Sequence, residues 1–569
     1  MSLIHIKTRP FYTHPENFQG VTPLMANILA RRQINTAHEL ELKLKHLLAP
    51  SLKNLHQAVQ YIDQAIDQKQ SIVIVGDYDA DGATSTALMV LVLRSLGANV
   101  HYLVPDRFKY GYGLTEKIVD LAQQTYSPDV LITVDNGISS HAGVNQAKQY
   151  GMTVIITDHH LTTKPAPLAD AVVNPNQLGC TFASKALAGV GVAFYVLAAL
   201  VTERKKYNKS TTNMVQYLDL VALGTYADVA VLDHNNRILI DVGLRKIQQS
   251  HCRAGILALL HVAGRDAACI DASDLGFALG PRLNAAGRMQ SMHIGVECLL
   301  AESFEQAYPL AQQLQQLNQE RRTVESEIKQ DALQTLQDIQ FDQTDLPLAL
   351  VLFEPHWHQG VIGIVAGRLK EQFYRPSIVF ALDEDGVHIK GSARSVEGIH
   401  IRDVIERVAE KYPDLVRFFG GHAAAAGLTI ERANFERFKK AFNAEISTLD
   451  SQLFQAVLWT DGELDATDFT LDAVKHIEYY GPWGQKFPLP VFEGVFHVQH
   501  ARWLKEKHLK LNLMLESGQY IDAIAFNAKD HFEFNAQKTQ VKLVYTLSKN
   551  EFQGKLSVQL KVIYLTSDF

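Results

Sequence analysis

The chain has 569 residues, 47% hydrophobic and 20% charged, with a formal net charge of −7. That length is too great for one hydrophobic core, and domains usually run about 100–200 residues, so three or four are expected. The acidic balance excludes a bulk basic surface, so any nucleic-acid binding would use a local basic lining.

No run approaches the roughly 18 apolar residues of a spanning helix. The start, MSLIHIKTRPFYTHPENF, lacks an apolar signal-peptide core. Cys180, Cys252, Cys269 and Cys298 form no CxxC pair, so neither a zinc site nor a disulfide framework is suggested, and a reducing cytoplasm is the expected location.

In chain order, residues 1–45 read as a polar, mixed N-terminal segment. From Leu42 to Gln68 apolar residues return at helical spacing, with Pro50 as the expected break. Ser71 to Val75 then reads as a fully buried strand. Gly76 breaks it, Asp77, Asp79 and Asp81 follow at alternate positions, and Gly82 closes the loop ahead of the helical run ATSTALMVLVLRSLG. Unpaired carboxylates this close repel one another, so the cluster suggests a site for a divalent cation or a proton. The alternative is a solvated acidic turn.

ANVHYLVPDR, DVLITVDNG, MTVIITDHH and DAVVNPN continue the pattern as short apolar runs alternating with the helices TEKIVDLAQQ and HAGVNQAKQYG. This is the signature of βαβ units and a parallel sheet, whose ligands bind at the C-terminal strand edge. Groups able to bind metal recur there: the three aspartates, Asp135, then Asp158, His159 and His160, then Asn174 and Asn176. Next, SKALAGVGVAFYVLAALV reads as a packed core helix without chemistry. Asp228 in GTYADVA either completes the cluster or merely ends a helix. In FALGPRLNAAGRM, Arg282, Asn284 and Arg288 sit among small residues, a pattern suited to phosphate or to a plain loop.

A long amphipathic helix is expected from Ser303 to about Ile339, as a strut between two lobes. A second α/β unit comes next, from PLALVLFEP to FFGGHAAAAGLTI. Gly420, Gly421 and His422 ahead of a small-residue helix would form an anion-binding helix N-terminus, or a plain glycine turn. His356 and His358 could bind metal but fit local packing better. From about Leu458 alternating strands with interleaved Arg, Lys and aromatics suggest a small β-barrel such as an oligonucleotide-binding fold. There Phe492, Phe496, Trp503 and Phe526 could stack bases or fill the core.

Taken together, VGDYDADG, VDNG, TDHH with NPN, GTYADVA, GPRLNAAGRM and GGHAAAAG resemble the successive motifs of the DHH phosphoesterase superfamily. Their wording is similar to that of its bacterial exonucleases acting 5′→3′ on single-stranded DNA in recombination and repair. The resemblance implies an α/β fold: a parallel-sheet DHH lobe (46–250), a helical region with the long helix (251–342), a smaller α/β DHHA1 lobe (343–450) and an OB-type barrel (451–569). The active site would lie between the two lobes. It also implies metal ligation by Asp79, Asp81, Asp135, His159 and Asp228, with Asp77 and His160 in or beside the set, and mixed ligands of this kind suit Mn2+ and accept Mg2+. His160 is either a ligand neighbour or a proton donor. Some relatives carry a histidine where this chain has Val75.

By the same resemblance Arg282, Asn284, Arg288, Arg394, Gly420, Gly421 and His422 contact substrate phosphates, and Arg107, Ser392 and Arg394 are candidates for a terminal 5′ phosphate. Tyr110 or Tyr112 would stack on bases. A single-strand-binding protein and a helicase are the implied partners, and a monomer is the default. Two other readings stay open: a small-substrate phosphoesterase acting on nanoRNA or phosphoadenosine phosphate, and a catalytically decayed nucleic-acid-binding protein.

Overall fold

A computed structural model describes residues 4–34, 36–162, 164–338, 347–532, 534–535 and 539–567. The chain divides into two compact units, one of residues 8–315 with 459–569, the other of residues 1–7 with 316–458.

After the first strand, β1 (Ile4–Thr8), the N-terminal segment is less polar in effect than its composition suggests. Its helix Pro23–Ala30, capped by Thr22, buries Met25, Ile28 and Leu29 in the same cluster as the barrel residues Phe492, Leu511 and Leu543. Arg32 anchors the segment: its guanidinium donates to both carboxylate oxygens of Asp461, at 2.6 and 3.0 Å, with both side chains buried. Removing either partner of such a pair costs about 3–5 kcal/mol, because the other charge is left buried alone. The helix expected over Leu42–Gln68 is shorter than its periodicity suggests. Only Leu55–Asp67 is α-helical, with a single 3-10 turn at Leu44–His46 before Pro50.

Five parallel strands come next: β2 (Ser71–Gly76), β3 (Asn99–Leu103), β4 (Val130–Val134), β5 (Thr153–Thr157) and β6 (Ala171–Val173). Their order is β3-β2-β4-β5-β6. The chain steps outward in one direction from β2 to β3 and in the other from β4 onward, so β2 and β4 flank the topological switch point. In open sheets of this kind the crevice beyond those two strand ends is where ligands bind. Helices Glu116–Tyr126 and His141–Gln149 bury Ile118, Val119 and Val144 against Val73, Leu131 and Val154 on one face of the sheet.

The segment with Arg282 is not a loop. A π-helical turn, Leu275–Leu279, runs into the α-helix Gly280–Met289. The long helix spans Phe304–Asp338, and the division between the units falls within it.

The second unit carries a mixed sheet of β7 (Leu350–Phe353), β8 (Ser377–Leu382), β9 (His388–Arg394), β10 (Phe418–Gly421) and β11 (Ala425–Glu431), in the order β10-β11-β9-β8-β7. Only β7 and β8 are parallel. Phe380, Phe438 and Phe442 form the centre of its core. Here the expectation at Gly420-Gly421-His422 is overturned: the segment after the histidine is a strand, not a helix. The alanines of AAAAG favour a helix locally, but Ala426, Leu428 and Ile430 alternate inward, and β11 pairs along its whole length with β9.

Finally, β12 (Ala456–Thr460) pairs with β1, and five strands close a barrel: β13 (Phe492–Leu504), β14 (His508–Met514), β15 (Tyr520–Ala525), β16 (Gln540–Phe552) and β17 (Lys555–Thr566). Closure removes the exposed strand edges. Phe492 and Phe496 are core, while Trp503 and Phe526 are exposed on the barrel surface. Among the described residues no helix is long and apolar enough to cross a membrane, and all four cysteines are free.

Candidate metal centre and phosphate-binding groups

The C-terminal ends of β2, β4 and β5 bring together the aspartates and histidines singled out by the sequence. Asp79 caps the helix Ala80–Ser95, its carboxylate accepting from the Gly82 N–H at 3.0 Å. Asp81, one turn in, is buried and accepts from the Gly189 and Val190 N–H groups at 2.6 and 2.9 Å. Those donors open the helix Gly189–Lys206, so a helix N-terminus holds the carboxylate. A Cβ on Gly189 would lie 2.6 Å from the Asp135 side chain, so only glycine allows this approach. The apolar helix read as plain core therefore takes part in the site through its backbone.

Asp135 leaves β4 with φ of 61°, a left-handed conformation uncommon outside glycine that redirects its carboxylate. His159 leaves β5 with Nε2 3.1 Å from Asp135 Oδ1 and 3.9 Å from both Asp81 Oδ2 and Asp228 Oδ2. Asp228 is both things the sequence allowed, the residue that caps the end of the helix Leu218–Ala227 and a member of the cluster. Ligand atoms converge in three overlapping groups, each within 4.8 Å: Asp77, Asp79 and Asp135; Asp81, His159 and Asp228; Asp135, His159 and His160.

Supporting groups fix this set. Asp158, buried, accepts from the Ile138, His159 and His160 N–H groups and from His160 Nδ1 at 2.7 Å. Asn174 and Asn176 brace the turn that carries the histidines: their amides donate to the His160 and His159 carbonyls at 3.0 and 2.6 Å. Asn136 donates to the carbonyls of Val75 and Val134, tying β2 to β4.

Electrostatics show what the cluster lacks. Burial pushes Asp77 up to about 8 and Asp81 up to about 7, the charge of Asp79 adding to both. Burial, then the charge of Asp81, pushes Asp135 and Asp228 well above the usual carboxylate range. Burial pulls His159 down to about 4, whereas for His160 the hydrogen bond and charge of Asp158 outweigh burial and raise it to about 9. Carboxylates so placed cannot all ionise without a compensating positive charge. Asp135 Oδ1 and His159 Nε2 are buried without a hydrogen-bond partner. Both are lone-pair donors aimed at the same space, which is the fit expected for a divalent cation with oxygen and imidazole ligands.

The candidate phosphate contacts fall in different places. Arg282 is buried, its guanidinium donating to the Ala278 carbonyl one turn back, and Arg288 is half-buried near the end of the same helix. Asn284 Oδ1 accepts from the Ala80 N–H at 2.7 Å. The Arg107 side chain lies outside the described residues. Tyr112 is exposed, with its hydroxyl 3.2 Å from His160 Nε2, whereas Tyr110 packs against the sheet core.

In the second unit Ser392 and Arg394 lie on β9 beside the start of the helix Ile362–Phe373. A Cβ on Gly363 would be 2.8 Å from Ser392 Oγ and 3.0 Å from Arg394 Nη2. Arg394 donates to Ser392 Oγ at 3.2 Å, and Ala425 and Gly427 of β11 stand in register with Arg394 and Ser392. Gly420 and Gly421 end β10 and His422 opens the exposed β10–β11 turn, its N–H donating to the Ala425 carbonyl. His356 pairs with Asp331, and neither His356 nor His358 joins a metal-capable group among the described residues.

A switch-point crevice walled by aspartates and histidines is the mark of a DHH-type metal-dependent phosphoesterase. The profile of the DHH family, N-terminal domain, matches residues 71–225, that of the DHHA1 domain residues 347–448, and that of the RecJ OB domain residues 460–564. The chain is 46% identical to the single-stranded-DNA-specific exonuclease RecJ of Haemophilus influenzae, over 95% of this chain and 96% of that protein. With its Escherichia coli counterpart it shares 45% identity over 95% of each. The crystal structure of RecJ from Thermus thermophilus in complex with Mn2+ superposes with a TM-score of 0.83 at 29% identity, covering 99% of this chain and 79% of that one. The chain belongs to the RecJ family.

Proposed function

We propose that this protein is a divalent-metal-dependent exonuclease that degrades single-stranded DNA 5′→3′ to mononucleotides, serving recombination and repair. The observation that carries the reading is the pair of buried, unpartnered ligand atoms, Asp135 Oδ1 and His159 Nε2, within a cluster of carboxylates at the sheet's switch point. Its relatives at 45–47% identity are named as single-stranded-DNA-specific exonucleases, and family members have been crystallised with Mn2+ and with Mg2+.

Asp79, Asp81, Asp135, His159 and Asp228 hold Mn2+ or Mg2+, with Asp77 and His160 beside them. When bound, such a cation lowers the pKa of a water and offsets charge on the phosphoryl oxygens in an in-line displacement. The chain's own part is to hold the ligands apart and aimed. The Gly189 and Val190 N–H groups fix Asp81, Gly82 fixes Asp79, and Asp158 fixes His160 so that Nε2 is presented beside the Tyr112 hydroxyl.

Ser392 and Arg394, at a helix start, bind the terminal 5′ phosphate, which gives the polarity. Arg288 and His422 contact neighbouring phosphates. On the barrel, Trp503 and Phe526 are exposed among Arg502, Lys505 and Lys507, a stacking and charge pattern suited to tracking a single strand. A small-substrate phosphoesterase has no need of that surface. A single-strand-binding protein and a helicase are fitting partners, since duplex must be opened first, and the site of action is the cytoplasm.

The test is an oligonucleotide labelled at either end, incubated with Mn2+. Label should leave the 5′ end at once as mononucleotide and the 3′ end last, with blunt duplex resistant. Simultaneous loss from both ends, or equal rates on duplex, would overturn the reading.

A further inference from the structure

We infer that Asn284 is a positioning residue of the metal centre, acting through the Asp77–Asp81 loop, rather than a contact of substrate phosphate. The inference rests on the metal-dependent reading above.

Asn284 lies mid-way along the helix Gly280–Met289, and its Oδ1 accepts the Ala80 N–H at 2.7 Å. Ala80 is the first residue of the helix Ala80–Ser95, flanked by Asp79 and Asp81. The first N–H groups of a helix have no partner within it, and something else must take them. Asp79 takes that of Gly82 and Asn284 takes that of Ala80, so the turn bearing the two carboxylates is capped once from within and once from a helix 204 residues away in sequence.

Three residues on, and on the same face, Gly287 meets the loop again. A Cβ there would stand 1.8 Å from the Tyr78 carbonyl oxygen, so the helix backbone lies directly on the loop at the residue between Asp77 and Asp79. One helix face thus grips Tyr78 and Ala80, the two residues that alternate with the three aspartates. The Asn284 oxygen is thus committed to the loop, so a phosphate could meet only the Nδ2 donors, a contact that would show as lost DNA affinity in Asn284→Ala. The loop needs such a hold because its carboxylates repel one another.

The test measures Mn2+ binding to the full chain without DNA, by the loss of the free Mn2+ EPR signal, for wild type, Asn284→Ala and Asn284→Asp. Binding of a single-stranded oligonucleotide in EDTA is measured in parallel. Loss of a supporting residue typically weakens metal affinity about 10- to 100-fold. Asn284→Ala should show a loss of about tenfold with metal-free DNA affinity unchanged. Asn284→Asp keeps an acceptor for Ala80 and should bind Mn2+ more tightly than Asn284→Ala. Unchanged Mn2+ affinity in Asn284→Ala, or an equal loss in both variants, would overturn the inference. If the alanine variant does not fold, Asn284→Ser, too short to span the gap, makes the same deletion and is read the same way. Wild type that binds Mn2+ but cleaves no DNA would count against the nuclease reading alone, since the variants are compared by metal binding.

Discussion

Two sheet ends in this molecule gather candidate functional side chains, and they are built to opposite plans. At the ends of β2, β4 and β5 bonds from elsewhere in the chain fix the supporting groups, Asp81 by two N–H groups, Asp79 by one, His160 by Asp158, and the histidine turn by two asparagines, while Asp135 Oδ1 and His159 Nε2 are left without a partner. At the end of β9 and the β10–β11 turn, Arg394 bonds mainly to its neighbours Ser392 and Ala393, while Gly420, Gly421 and His422 are exposed. The first arrangement suits a small cation, whose ligands must be held at fixed short distances. The second suits a long polyanion, for which reach matters more than rigidity. Packing differs between the two: the first end is closed in by helices brought near at Gly189 and Gly287, whereas at the second one helix start approaches at Gly363 and the β10–β11 turn is exposed.

The contrast can be broken at the rigid end first. Asp81→Ala removes a proposed ligand and leaves the Gly189 and Val190 N–H groups without their acceptor, so turnover should fall by about 100- to 1,000-fold, the scale of losing a charge-stabilising group at a reacting centre. Binding of single-stranded DNA should survive, and a gel-shift in EDTA beside a single-turnover assay checks both. Loss of DNA binding as well would show that the two ends are not separable.

The open end should yield a smaller and more selective effect. Arg394→Ala should abolish the preference for 5′-phosphorylated over 5′-hydroxyl substrates and leave Mn2+ affinity untouched, read from competing rates on the two oligonucleotides. An unchanged preference would remove Arg394 from the phosphate site.

Smallest is the barrel. Trp503→Ala and Phe526→Ala should each weaken single-strand binding by about 1–3 kcal/mol, the usual worth of one stacked base. The cleavage rate at saturating DNA should not change. A fall in that rate with binding intact would place these residues in a different role.

Most of the proposed ligands were legible in the sequence because they belong to a local signal, a buried strand followed closely by an acid or a histidine; Asp228, which ends a helix, is the exception. What holds them was not. The partners of Asp81 are backbone N–H groups of a helix start more than a hundred residues on, where only the glycines of AGVG hint at an anion site. Asn284 was visible as an unusual residue but not its partner, because an oxygen that accepts from Ala80 reads the same in sequence as one waiting for a ligand. The alanines after His422 mark a helix by propensity alone, and pairing with β9 overrode them. The N-terminal segment reads as polar and mixed because its apolar residues, among them Met25, Ile28 and Leu29, fill a core supplied mostly by the other end of the chain.

The central claim is that the ends of β2, β4 and β5 form one cation site. Crystals grown with Mn2+ and measured at a wavelength where manganese scatters anomalously test it directly. The account predicts anomalous density bonded to Asp135 Oδ1 and His159 Nε2, lost in Asp135→Asn crystals grown in the same way. Manganese bound elsewhere, with Asp135 and His159 left without it, would contradict it.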